Sequence, residues 1–236
     1  MLNSVCHITG EQNAQRFKVL PTRTAVRLAL KKYGFALLPI GLSRRQGKDV
    51  VDVFKKAVLN NEVVAINLQR SVRGVQDEPR LQTMYKVSKN FAAVPGVQGL
   101  LQKIGKLCAV SDSQLYNFRQ YVGIRSGEMS KAQIAHADNI SEGLLTGVHE
   151  FMTCPCNVLL PTVQLSQLDI RPLHARVEHL RVDIPLDHSL VFRGDVVHRG
   201  VEGVVGDGYN YRLFCHMVPL NWKHAGTDED TIHFLL

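Results

Sequence analysis

At 236 residues the chain is long enough to bury one substantial core, and its 45% hydrophobic and 21% charged content excludes a disordered or fibrous protein. No apolar run approaches the roughly 20 residues a bilayer demands, so a membrane span is not expected. The net charge of +7 is lopsided: residues 1–110 carry 18 Lys/Arg against 6 Asp/Glu, whereas residues 111–236 carry 10 against 15.

The basic half reads either as a solvated surface or as an electrostatic footprint for nucleic acid. No zinc finger, basic zipper or RRM signature accompanies it, and aromatics are not interleaved with the basic residues. Five cysteines, an odd number without framework spacing, fit a reducing compartment. The N-terminus lacks a charged start followed by an apolar stretch, so an intracellular protein of cytoplasm or nucleus is expected. The alternative is a mitochondrial transit segment, because Glu11 is the only acid in residues 1–48.

Residues 1–20 read as irregular. Thr22 or Thr24 is placed to cap a helix over 25–32, which Gly34 ends. Residues 35–40 form a short buried strand. Ser43 can cap the next element, and over 49–59 the apolar Val50, Val51, Val53, Phe54, Ala57 and Val58 recur at helical spacing until Asn60-Asn61. Residues 62–68 read as a strand, the polar stretch 69–93 as loop and helix, and 97–107 as a helix with Val97, Leu100, Leu101, Ile104 and Leu107 apolar.

From residue 114 the pattern changes. Residues 115–124 alternate as a strand, with Asn117, Arg119 and Tyr121 on one face, and after a break at 127–131 a second segment runs over 133–138. Further strand-like runs lie at 158–160, 163–168, 177–185 and 190–197. Repeated short strands with polar turns point to a barrel or jelly roll. Neither a repeat nor a linker divides the chain. The expectation is one domain over 1–236: a basic helical lead-in over 1–110, then a β core over 111–220 that carries the chemistry.

That chemistry centres on His136-Ala137-Asp138 and His198. In an extended strand, side chains at i and i+2 leave the same face, so His136 and Asp138 can reach one metal; on a helix they would diverge by about 200°. Two imidazoles and one carboxylate are the ligand set of a facial-triad iron site, which leaves metal positions open. His198 follows an apolar strand, Leu190 to Phe192, and a Gly194-Asp195 turn. Next comes a strand over 209–218, with Tyr209, Tyr211, Leu213, Cys215 and Met217 on an outer face and Asn210, Arg212, Phe214, His216 and Val218 inside. Arg212 there offers a planar fork for a carboxylate. Zinc also accepts three protein ligands, but it would need a separate general base.

In that order, these residues resemble the Fe(II)/2-oxoglutarate-dependent oxygenase superfamily over roughly residues 25–220, and residues 33–40 look like its early strand. The resemblance implies a mainly β fold with flanking helices, an α+β double-stranded β-helix (jelly-roll) core behind an N-terminal lead-in. It implies Fe(II) on His136, Asp138 and His198, and 2-oxoglutarate held at its far carboxylate by Arg212 and at a second point by Tyr121, with Asn117 and Arg119 as weaker candidates. O2 is consumed, succinate and CO2 leave, and ascorbate is a candidate reductant. One position departs from the pattern: where many members carry a small hydroxyl residue two places after the arginine, this chain has Phe214.

The substrate stays open among a small molecule, a protein side chain and a nucleic acid base, the last as in AlkB-like or TET-like relatives. A non-catalytic binding module on the same fold is the competing class. Oligomeric state is left open. Cys154-Pro155-Cys156 with His149, or with His174 and His179, matches no common zinc spacing and reads as ordinary thiols. His188 and His216 read as structural histidines near the pocket, and Asp195 as a turn former.

Overall fold

The hydroxyl of Thr22 accepts the Ala25 amide and opens α1 (Arg23–Tyr33). The helix stops at Gly34, whose φ of 82° lies in the left-handed region that glycine tolerates best. A β-carbon at Gly34 would also come within 2.4 Å of Val196, so no other residue fits between α1 and the turn that leads to His198. Ser43 and Gln46 form a reciprocal capping box that starts α2 (Arg44–Leu59) five residues ahead of the apolar periodicity. Gly47 then lets α2 lie directly on the sheet, since its β-carbon would fall 1.7 Å from the Thr162 carbonyl oxygen. The third helix, α3 (Val97–Cys108), follows the expected apolar spacing.

A computed structural model describes residues 18–60, 64–66, 82–86, 94–109, 111, 116–128, 130–133, 135–138, 155–173, 179–202 and 208–220; the side chains of 64–66, 82–86, 117 and 119–121 are not among what it describes. The strands are β1 (Phe35–Leu38), β2 (Val64–Ile66), β3 (Gln82–Lys86), β4 (Tyr116–Ser126), β5 (Cys156–Pro161), β6 (Ser166–Ile170), β7 (Leu180–Ile184), β8 (Ser189–Arg193), β9 (His198–Gly200) and β10 (Asn210–Pro219). They form a seven-stranded antiparallel sheet, β1-β8-β5-β10-β4-β3-β2, and a three-stranded one, β7-β6-β9. A further antiparallel bridge, His136 to His198, adds a fourth run of chain beside β9.

Burial follows from this layering. Every residue of β1, β5 and β8 is buried because the large sheet is covered on both faces. The three helices cover one face, where Val26, Leu30, Phe54, Leu101 and Ile104 pack on Val158, Leu160, Leu213, Cys215 and Met217. The small sheet covers the other, where Ile170, Val182 and Ile184 meet Phe35, Leu159, Leu190, Phe192 and Phe214. In β7 burial alternates, with Leu180, Val182 and Ile184 inward and Arg181 and Asp183 outward, as in a sheet with one face in water. Among the described residues, no helix is long and apolar enough to cross a membrane.

Three readings change. The barrel-or-jelly-roll alternative narrows to two stacked sheets among the described residues, and the outer face of β10 carries Leu213, Cys215 and Met217 because helices, not water, lie against it. The N-terminal segment does not merely precede the core: β1 pairs with β8 at one edge of the large sheet, while β3 pairs with β4 and β2 with β3 at the other. Residues 82–86, read as loop or helix, are strand. Their sequence, Gln-Thr-Met-Tyr-Lys, has no apolar alternation, and pairing with β4 decides it.

Candidate metal centre

The reciprocal backbone pairing of His136 and His198 brings the two imidazoles together, with ring centroids 4.6 Å apart. Gln133 ties the first segment to β9: its amide N–H donates to Gly200 O (2.9 Å), and its side-chain carbonyl accepts the Gly200 N–H (2.8 Å). Asp138 lies one pleat beyond His136. One carboxylate oxygen is 3.5 Å from His136 Nε2 and the other 3.6 Å from His198 Nε2. A His-Asp-His triad results, with ligand atoms all within 4.8 Å of one another and both histidines buried.

The surroundings fix the orientation and protonation of these groups. His198 Nδ1 lies 3.0 Å from the Val196 carbonyl oxygen. A carbonyl can only accept, so Nδ1 carries the proton and Nε2 keeps its lone pair toward Asp138. Burial pushes the His198 pKa down to about 4, against the opposing pull of the Asp138 charge, so the ring is neutral near pH 7. His216 on β10 is likewise pushed down by burial, and it faces the same carboxylate.

Burial alone would raise the Asp138 pKa. The charges of His198, His136 and His216, together with a 2.7 Å hydrogen bond donated by Asn157 Nδ2, outweigh it and hold the carboxyl below its usual range. Among the described residues, no lysine or arginine contributes. A nearly buried carboxylate between imidazoles is a donor set suited to a divalent metal.

Arg212 is the fourth group. It lies on the face of β10 that carries Phe214; the Phe214 ring touches Phe192, and Phe192 touches His198. The residue is 5% exposed, Nη2 donates to the Ser126 hydroxyl on β4, and Nε is buried with no partner among the described residues. Burial, with no carboxylate among the described residues to oppose it, pushes its pKa down to about 10, so it is still charged at neutral pH. Arg212 and Ser126 line a cavity of about 130 Å³ at the end of the sandwich, beside Gln164, Gln167, Glu202 and Asn210. The triad does not line that cavity. Arg212 and His216 are four residues apart on β10, which separates the two ends of the site by roughly 13 Å of strand.

No family sequence profile matches this chain, and no curated protein sequence does. Solved structures match, among them a prolyl hydroxylase in complex with a hypoxia inducible factor oxygen degradation domain peptide fragment from Trichoplax adhaerens. That match has a TM-score of 0.60 at 12% identity and covers 88% of this chain and 91% of the other. The two share a fold. With so few identities, the likeness speaks to architecture, and the site's chemistry rests on its own residues.

The structure thus brings His136, Asp138 and His198 together and points Arg212 to a cavity. The Tyr121 backbone pairs with Cys215, across a register shift from the His216–Arg119 pair. The side chains of Tyr121, Asn117 and Arg119 lie outside what is described, as do His149, Cys154 and His174. Cys156 is a buried thiol beside Cys108, raised well above the usual range mainly by burial. His188 contacts the exposed Asp187 at 2.7 Å in the β7–β8 turn, and Asp195 pairs with Arg193 at 2.9 Å in the turn after β8.

Sequence reasoning passed over Asn157 and Ser126. Asn157 did carry a signal, a single amide in the buried run Cys156-Asn-Val-Leu-Leu-Pro161. A polar group so placed needs a partner, and its partner is Asp138.

Proposed function

We propose that this protein is an Fe(II)- and 2-oxoglutarate-dependent oxygenase on a double-stranded β-helix. The strand order supports the fold: β4, β10, β5 and β8 are neighbours in one sheet, and the His136 segment, β9, β6 and β7 lie opposite. The observation that carries the function is the pairing of a buried His136-Asp138-His198 triad with a buried arginine that has no carboxylate partner among the described residues. One half calls for a divalent cation and the other for an anion, and a chelating 2-oxo diacid satisfies both.

His136, Asp138 and His198 would hold the iron, which supplies the open coordination positions and redox chemistry that activate O2. Arg212 would anchor the distal carboxylate through a charge-assisted pair. The apolar Phe192 and Phe214 between them keep water from the space the diacid would cross. The test is succinate release from 2-oxoglutarate by protein loaded with Fe(II) under ascorbate, which proceeds slowly even without prime substrate. Release by the wild type and none by Asp138→Ala is expected. Equal release from both would sink the ligand assignment.

A protein side chain is the substrate class to try first, because the matched prolyl hydroxylase is in complex with a peptide fragment. The second reading, a nucleic acid base, draws on α2, which exposes Arg44, Arg45, Lys48, Lys55 and Lys56 against Asp52. That helix covers the face of the large sheet turned away from the small one, so it would serve as a tether rather than a substrate groove. A salt titration of oligonucleotide binding separates the two, since phosphate contacts impose a steep salt slope.

A further inference from the structure

The small sheet ends on a bare strand. Its β9 side is extended by the segment that carries His136. Among the described residues β7 pairs only with β6, in an unbroken register from Leu180 opposite Ile170 to Ile184 opposite Ser166. One side of its main chain therefore has no neighbouring strand. Such an edge is a template for another strand, and proteins usually blunt it with a proline, a bulge or a charge that points inward or overhangs. The five residues of β7 contain none of these. Leu180, Val182 and Ile184 point inward, each 2% exposed or less. The two charged residues are drawn back over the sheet: Arg181 donates to Asp169 and Glu202, and Asp183 accepts from Gln167 on β6 at 2.7 Å.

The sequence of this edge is complementary to itself. Two copies of one strand can pair antiparallel about a two-fold axis normal to the sheet. Facing residues then share a face only when the axis passes through a residue. Centred on Arg181, the pairing sets two arginines opposite each other, and centred on Asp183 it sets two aspartates. Like charges directly opposite are unfavourable. Centred on Val182, all five residues are matched: Arg181 of each copy faces Asp183 of the other, Leu180 faces Ile184, and Val182 faces Val182. The outer face gains two opposite-charge pairs, and the inner face gains an apolar seam.

We infer that β7 is a dimerisation edge: a second copy of this chain adds its own β7 antiparallel, in the register centred on Val182, and joins the two small sheets into one. The contact is isologous and closes on itself, so it yields a dimer rather than a fibre. Five residues a side are few against the roughly 20–30 of a standard interface, so association is reversible and depends on concentration. The inference concerns the sheet edge and holds whatever the metal centre binds.

Sedimentation velocity of the full chain, from about 1 to 300 μM, tests it. Wild type is expected to pass from monomer to dimer within that range. Asp183→Lys puts two cations opposite each other at both outer pairs and should move the midpoint at least roughly tenfold higher, with circular dichroism confirming the fold. Hydrogen exchange of the wild type, below and above the midpoint, locates the contact without any variant, so it decides the matter even if Asp183→Lys misfolds. Amides of 180–184 should gain protection at the higher concentration while those of β6 stay unchanged. A monomer throughout the range overturns the inference. So does a dimer in which exchange at 180–184 is unaltered, or one whose midpoint a folded Asp183→Lys protein leaves in place.

Discussion

His136 and His198 occupy one rung of antiparallel pairing, their backbones exchanging hydrogen bonds of 2.9 and 2.8 Å. The separation of the two imidazoles is therefore set by main chain, the stiffest part of a sheet, and not by side-chain rotamers. Asp138 has no such rung. Its carboxylate is positioned by Asn157 from β5, a strand of the opposite sheet.

That asymmetry makes Asn157 a positioning residue for the third ligand. Asn157→Ala should weaken Mn(II) or Fe(II) binding by about ten- to a hundredfold, the range seen when partners of metal ligands are removed. Metal titration of the apoprotein measures this, with thermal melting to check that the fold persists. Unchanged affinity would mean that Asp138 holds its place unaided.

Acid should destabilise the metal-free protein through His198. Its folded pKa of about 4 lies below the unfolded 6.5, so between those values the unfolded chain binds more protons than the folded one. The neutral ring's contribution is complete above pH 6.5, declines as pH falls through the window, and stops changing below about 4. His216, shifted in the same direction, adds to the effect. The loss attributable to His198 is on the order of 3 kcal/mol. Urea unfolding at pH 7 and pH 4.5 tests it: His198→Leu should flatten the difference, and an undiminished pH dependence in that variant would assign the acid lability to other groups.

Much of this was written locally in the chain. Thr22 and Gly34 bound α1, and Ser43 with Gln46 starts α2, because caps are made by neighbours in sequence. The alternation of β10 sorted Leu213 and Cys215 from Arg212 and Phe214, although it left open that helices would cover the former. The partners of Asn157 and Ser126 were illegible for the opposite reason. Asn157 meets Asp138 and Ser126 meets Arg212 only through pairing between strands far apart in sequence, which no local pattern encodes. The strand at 82–86 was missed on the same ground.

Arg212 is maintained at a cost to stability. A buried guanidinium with no countercharge among the described residues is unfavourable, and an apolar replacement of similar length relieves it. Arg212→Met should therefore raise the melting temperature of ligand-free protein by about 2–4 °C, corresponding to ~1 kcal/mol in a chain of this size. The same variant should lose the stabilisation that 2-oxoglutarate gives metal-loaded wild type. Arg212→Lys should recover binding only in part, because an ammonium cannot reproduce the planar fork. A lower melting temperature for Arg212→Met would mean that the guanidinium is already satisfied inside the protein.

The outer face of the small sheet carries a device that holds β9 in place. Asp169 on β6 is fully buried and accepts from Arg181 Nε on β7 at 2.8 Å and from Arg199 Nε on β9 at 3.0 Å, so one carboxylate staples three strands. Arg199 directly follows His198, which ties the staple to the position of a metal ligand. Asp169→Ala leaves two arginines without their common partner and should cost about 3 kcal/mol. That is the low end for a broken buried pair, because Arg181 and Arg199 keep 15% and 28% of their side-chain surface in water. Metal affinity should fall with it as β9 loosens, whereas Asp183→Ala, which removes a hydrogen bond to Gln167 on the β6–β7 pair alone, should leave metal binding intact. Equal metal affinity in the Asp169 variant, measured under conditions where it is folded, would show that the His136 rung holds His198 without help from the staple.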